Sequence, residues 1–180
     1  MIPRRLDGAS GTIAVNRRLP GMHRDRVWKI LERSPVGMLT TCFQDGLRAR
    51  PLDARPNRPT GDVFFVIDVR GLKDDEIRAK PDVCFTVIDA DQHAYLSITG
   101  RATILSDEAL LRKIWKRSDD VLWPDGPQDE NVRILRLEPK TADLWDGPAN
   151  SAVAAFEMSK ARLTGDEPDL GENRKVSFEM

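Results

Sequence analysis

The chain has 180 residues, with 28 Lys plus Arg against 29 Asp plus Glu and a formal net charge of -1. That length holds one domain with a full core and is marginal for two. The charge balance gives no field for gathering nucleic acid or an acidic membrane, so an anion would be met by a local basic pocket. No stretch approaches the ~18 apolar residues of a membrane span, and the first residues lack the apolar run of a secretory signal. The expectation is a soluble, cytoplasmic protein. Cys42 and Cys84 both lie in apolar, strand-like runs, and they read as reduced core-strand thiols rather than as a disulfide.

Residues 1–21 are rich in Arg, Gly and Pro without periodicity and read as a flexible N-terminal arm. In "HRDRVWKILERS", Val27, Trp28, Ile30 and Leu31 fall at helical spacing, and Ser34-Pro35 stops the helix. "VGMLTTCF", the turn "QDG" and "LRARPLDAR" predict a hairpin in which Gly46 supplies a positive φ. "DVFFVIDV" is a further strand. "LKDDEIRAK" is a helix with carboxylates in its first turn, closed by Pro81. "VCFTVIDA" and "AYLSITGRATIL" are strands, and Ser106 is the expected N-cap of a helix "DEALLRKIWKRS". After the loop "DDVLWPDGPQDE", "VRILRLEPKTADLWD" reads as a strand pair kinked at Pro139. "SAVAAFEMSKARLTG" is a helix capped by Gly165, and the tail "DEPDLGENRKVSFEM" is charged and reads as peripheral.

About six or seven short strands at turn spacing, with helices inserted and appended, predict a small β-barrel decorated with helices rather than strict βαβ alternation. The domain expected from this pattern spans residues 22–165, between the arm at 1–21 and a tail at 166–180.

Most catalytic signatures are absent from the sequence. His23 and His93 have no partner at metal-ligand spacing, and the two cysteines are not in a CxxC arrangement. There is no GxSxG, Walker A or Rossmann glycine pattern. If the protein is an enzyme, the hard chemistry belongs to a cofactor.

"GLRARPLDARP" is the stretch that calls for an explanation. In extended chain Arg48 and Arg50 project to one face and Arg55 to the other. Two guanidiniums on one face can grip a phosphate in bidentate fashion, or they can lie on a solvated face among carboxylates. Lys73, at the first turn of a predicted helix, opposes the macrodipole unless an anion sits there. Asp74, Asp75 and Glu76 offer it a plainer partner. Trp123, flanked by turn residues, either covers a planar ligand, meets a subunit neighbour, or simply packs.

The series "VWKIL", "VGMLTT", "DGLRARPL", "VFFVIDVRGLKDDEI", "KPDVCFTVIDAD", "AYLSITGRATI" and "LWPDGPQDENVRILRLEPKTADLWDGP" resembles the general stress protein 26 group. That group belongs to the pyridoxamine 5'-phosphate oxidase-like, FMN-binding split β-barrels. The resemblance runs from about Arg24 to Val176. It implies a mainly β, α+β fold, a six- to seven-stranded antiparallel split barrel of the FMN-binding type with flanking helices. It also implies a homodimer with flavin sites at the subunit interface.

By this resemblance Arg50, Pro51, Leu52 and Asp53 run beside the flavin ring, and Val66 and Ile67 line the pocket. Arg48, Arg50 and Lys73 meet the phosphate, and Trp123 from the partner covers the ring. Two positions depart from the family pattern: Ile67 stands where relatives commonly place threonine, and Gly71-Leu72 precede Lys73 where a small polar residue is usual. The resulting reading is a flavin-dependent oxidoreductase or carrier of the general stress protein type, with its substrate unassigned. The alternative is a non-catalytic stress or binding protein whose barrel has lost flavin turnover or takes another anionic ligand.

Overall fold

The computed structural model describes residues 20–43, 46–70, 74–147, 151–168 and 171–178. Among these residues are eight strands: β1 Val36–Phe43, β2 Gly46–Asp53, β3 Arg55–Asn57, β4 Asp62–Asp68, β5 Asp82–Asp89, β6 Ala94–Leu105, β7 Val132–Asp146 and β8 Glu172–Ser177. Four α-helices accompany them: α1 Pro20–Arg33, α2 Asp74–Ala79, α3 Glu108–Ile114 and α4 Ser151–Thr164. None of them is long and apolar enough to cross a membrane.

All strand pairs are antiparallel, in the order β2-β1-β5-β6-β7-β4-β3, with β8 added alongside β7. The two ends of this order, β2 and β3, are one stretch of chain interrupted only at Ala54. Its first part pairs with β1 and its last part with β4. The sheet thus curls until its ends share a strand, with a seam at Ala54, which is the split-barrel form. The Ala54 N–H leaves the sheet there and donates to the Pro35 carbonyl at 2.8 Å.

Period-2 alternation fills the interior. Leu39, Phe85, Leu96, Ile98, Leu137 and Leu144 are almost wholly buried in one cluster, each contributing about 2 kcal/mol of apolar burial. Phe65 and Phe85 meet edge-on with centroids 4.9 Å apart. Helix α1 lays Val27, Trp28, Ile30 and Leu31 onto this core and ends at Ser34, whose N–H donates to the Ile30 carbonyl. A smaller cluster lies on the opposite side of β4, where Phe64 and Val66 pack with Leu111, Trp123, Val132 and Ile134.

Four expectations need correction. The segment around Pro139 is one long strand, not two, with a bulge opposite β6: Thr99 pairs with Thr141 but Gly100 with Pro139, so Lys140 is the extra residue. That residue shifts the phase of burial, from Leu135 and Leu137 to Ala142 and Leu144. Helix α3 stops at Ile114 rather than running to Ser118. Trp115 is extended, and a 3-10 turn, Arg117–Val121, follows. The cause is Asp119, whose carboxylate accepts from the Lys116 N–H at 2.9 Å and draws the chain back.

The N-cap of α3 is Asp107, not Ser106, because the Asp107 carboxylate accepts from the Leu110 N–H at 2.9 Å. The tail is not peripheral either. Part of it is β8, an eighth strand beyond the six or seven expected, with Val176 buried and Phe178 edge-on to Trp28. Gly46 and Gly165 do have positive φ, 130° and 78°, as their turn and cap roles require.

Candidate functional site

The β1–β2 hairpin sets the geometry of the arginine strand. Its register places Arg50 opposite Leu39 and Arg48 opposite Thr41. Directly opposed residues share a face, so both arginines stand on the side of the sheet that Leu39, Thr41 and Phe43 line. Their guanidinium carbons lie 4.8 Å (Arg48) and 5.4 Å (Arg50) from the centroid of one ring, Phe43, a cation–π geometry for both. The Arg50 guanidinium also donates to the Thr41 hydroxyl at 3.0 Å. The two guanidiniums thus share one aromatic floor. Leu52, on the same face, packs against the main core.

Arg55, beyond the seam, has a different role. Its side chain is buried, paired with Asp119 at 2.7 Å and with Asp53 at 3.0 Å. The Lys116 ammonium holds Asp53 from the other side at 2.9 and 3.0 Å. Asp53 is therefore engaged by two cations of its own chain and anchors the seam. Pro51 faces outward opposite Met38 and is exposed.

The remaining residues assigned by resemblance separate to two sides of β4. Ile67 is 2% exposed in the main core, and Val66 is buried in the smaller cluster with Trp123. The Trp123 ring lies 6.0 Å from that of Trp115. Within the single chain Trp123 thus packs, the third of the roles open to it. The Arg70 guanidinium beside Asp68 holds that carboxyl at about 2, and the Trp123 N–H acts in the same direction. Lys73, Gly71 and Leu72 lie outside the described residues.

Thr41 and Phe43 were missed by sequence reasoning. The signal was present: alternation in "VGMLTTCF" puts them on one face, and antiparallel pairing with the next strand sets them against Arg48 and Arg50. No group of three or more His, Cys, Asp or Glu that could hold a metal ion occurs among the described residues. Both cysteines are free thiols.

A curled antiparallel sheet with a seam beside a pair of stacked arginines defines a class, and comparison with known proteins names it. Residues 22–169 match the family model described as pyridoxamine 5'-phosphate oxidase like, and the chain belongs to that family. It is similar in structure to a Jannaschia sp. CCS1 protein named after general stress protein 26, with a TM-score of 0.73 and 24% identity over 88% of this chain and 99% of that one. It is also similar to the general stress FMN/FAD binding protein of Xanthomonas citri, with a TM-score of 0.64 and 22% identity over 73% of this chain and 92% of that one. A curated relative, protein bli-3 of Neurospora crassa, is 20% identical over 124 residues, 64% of this chain and 59% of that protein. The chain therefore spans less than two thirds of the length of bli-3. Similarity at this level carries the fold and leaves activity to the site.

Proposed function

We propose that the protein is an FMN-binding flavoprotein of the general stress protein type, a cytoplasmic homodimer whose bound flavin is its redox group. The observation that carries this reading is the pair Arg48 and Arg50, both stacked on Phe43, with Thr41 fixing one of them. Such a pair fits a flavin's phosphate, and family membership and the FMN/FAD binding neighbour support the same ligand. When bound, the flavin would supply hydride or electron transfer. The work of the chain is to hold it: Arg48 and Arg50 neutralise the phosphate, and Leu52 gives an apolar surface beside it. Lys73 joins the phosphate ligands by family resemblance.

A row of exposed apolar side chains supports the dimer. Ile88 pairs with Tyr95 and Tyr95 with Trp145 on one face of the sheet, and continuing the β1–β5 register sets Val36 opposite Ile88. All four are 42–62% exposed, a band across four strands of the kind that a second copy covers.

One observation favours the alternative of a different anionic ligand. Ile67, sealed in the core, offers a phosphate no hydroxyl. An absorption spectrum decides between them. Incubation with FMN and desalting should leave flavin bands near about 370 and 450 nm, and Arg50→Ala should weaken FMN binding about tenfold or more without unfolding the protein. A colourless wild-type protein would overturn the flavin assignment. Unchanged affinity in the variant would overturn the placement of the phosphate.

A further inference from the structure

On the other side of the seam from Arg48 and Arg50, a cleft of about 550 Å³ opens between the end of α1, β3 and α3. Its volume is in the range of small-molecule sites, roughly 300–1,000 Å³. The walls are apolar: Leu31, Phe64, Leu110, Ile114 and Trp115. Four charged residues also line it, and three are committed within the protein. Glu32 takes the Arg58 guanidinium at 2.7 and 2.9 Å, Lys116 holds Asp53, and Arg55 is shared between Asp53 and Asp119.

Lys113 is the exception. It stands exposed in the last turn of α3 and makes no hydrogen bond or ion pair among the described residues. An apolar slot with one uncommitted ammonium at its edge matches a ligand with an apolar body and a single negative charge.

We propose that this cleft binds an amphipathic organic monoanion, an aromatic or branched-chain carboxylate, with its body against Phe64, Ile114 and Trp115 and its carboxylate on Lys113. The cleft meets the strand assigned to the flavin at Asp53, which Lys116 of its wall holds. The proposal commits to a small molecule because Glu32, Arg55 and Lys116 are already neutralised, which leaves charge for one carboxylate only.

The test is calorimetric titration of the full-length protein with 2-naphthoate, alongside the neutral 2-naphthylmethanol. We expect saturable one-to-one binding of the acid and weaker binding of the alcohol. Lys113→Glu, at an exposed position that leaves the fold intact, should lower the naphthoate affinity at least about fivefold. Arg50→Ala should leave it unchanged. No saturable binding at millimolar naphthoate, equal affinity for the alcohol, an unaffected Lys113→Glu variant, or loss of binding in Arg50→Ala would each overturn the assignment.

Discussion

The Arg55 guanidinium donates to the Asp119 carboxylate at 2.7 Å, with side chains only 7% and 6% exposed. The contact ties the seam of the barrel to the turn after α3, across 64 residues of sequence. Breaking a buried pair strands a charge, which costs more than never having had the pair. Asp119→Ala should therefore destabilise the protein by about 3 kcal/mol in urea denaturation. The double variant Arg55→Met with Asp119→Ala should recover a substantial part of that loss. A single variant as stable as the wild type would mean that Asp53 alone satisfies Arg55.

Gly100 sits at the β7 bulge. A Cβ there would stand 2.1 Å from the Glu138 carbonyl oxygen and 2.9 Å from a Leu137 methyl carbon. Backbone cannot yield as a flexible side chain can, so Gly100→Ala should cost about 2–3 kcal/mol, read from the shift of the denaturation midpoint. Gly61, with nothing within 4 Å of its Cβ position, makes a poor control because its φ is 76°. Gly21, which has open space and no unusual φ, is the better control, and Gly21→Ala should be near neutral.

Local patterns explain what was legible in the sequence. The helix holding Val27, Trp28, Ile30 and Leu31, most of the strands, and the shared face of Arg48 and Arg50 follow from periods of 3.6 and 2. The rest depended on contacts distant in sequence. Nothing near "IWKRS" ends a helix; the chain turns because Asp119 reaches the Lys116 N–H and Arg55. In "ENRKVS" the inward positions are mostly polar, so Val176 alone could not announce a strand. The strand exists because β7 offers it an edge. The turn residues flanking Trp123 left its role open, and the cluster it fills is built by β4, β7 and α3. The candidate site was half legible: the cations stand out as charges on one strand face, whereas Phe43 beneath them shows only as one more apolar residue in an alternating strand.

The apolar row on the outer face bears on assembly. Tyr95 lies at its centre, opposite both Ile88 and Trp145. Replacing the centre of an interface with a charge removes its best-packed contacts and buries an unpaired ion. In sedimentation at micromolar concentration the wild type should run as a dimer and Tyr95→Glu as a folded monomer. A monomeric wild type would remove the homodimer, and a dimeric Tyr95→Glu variant would move the interface elsewhere.

Asp68 titrates unusually low because of Arg70. The Arg70 side chain donates to both carboxylate oxygens, its backbone N–H adds a bond at 2.8 Å, and the carboxyl falls from 3.8 to about 2. A folded-state value below the unfolded one means that this contribution is complete above about 4. It declines as pH falls and is lost through about 2. The pair is exposed to solvent, so screening leaves its share of stability small. Arg70→Ala should raise the Asp68 carboxyl toward 3.8, followed by its carbon shift in NMR titration, and the small stability gap from wild type should close below about pH 2. Trp123→Phe should raise it less, since the ring N–H is the weaker of the two influences. An Asp68 that titrates near 3.8 in the wild type would show that the pair does not persist in solution.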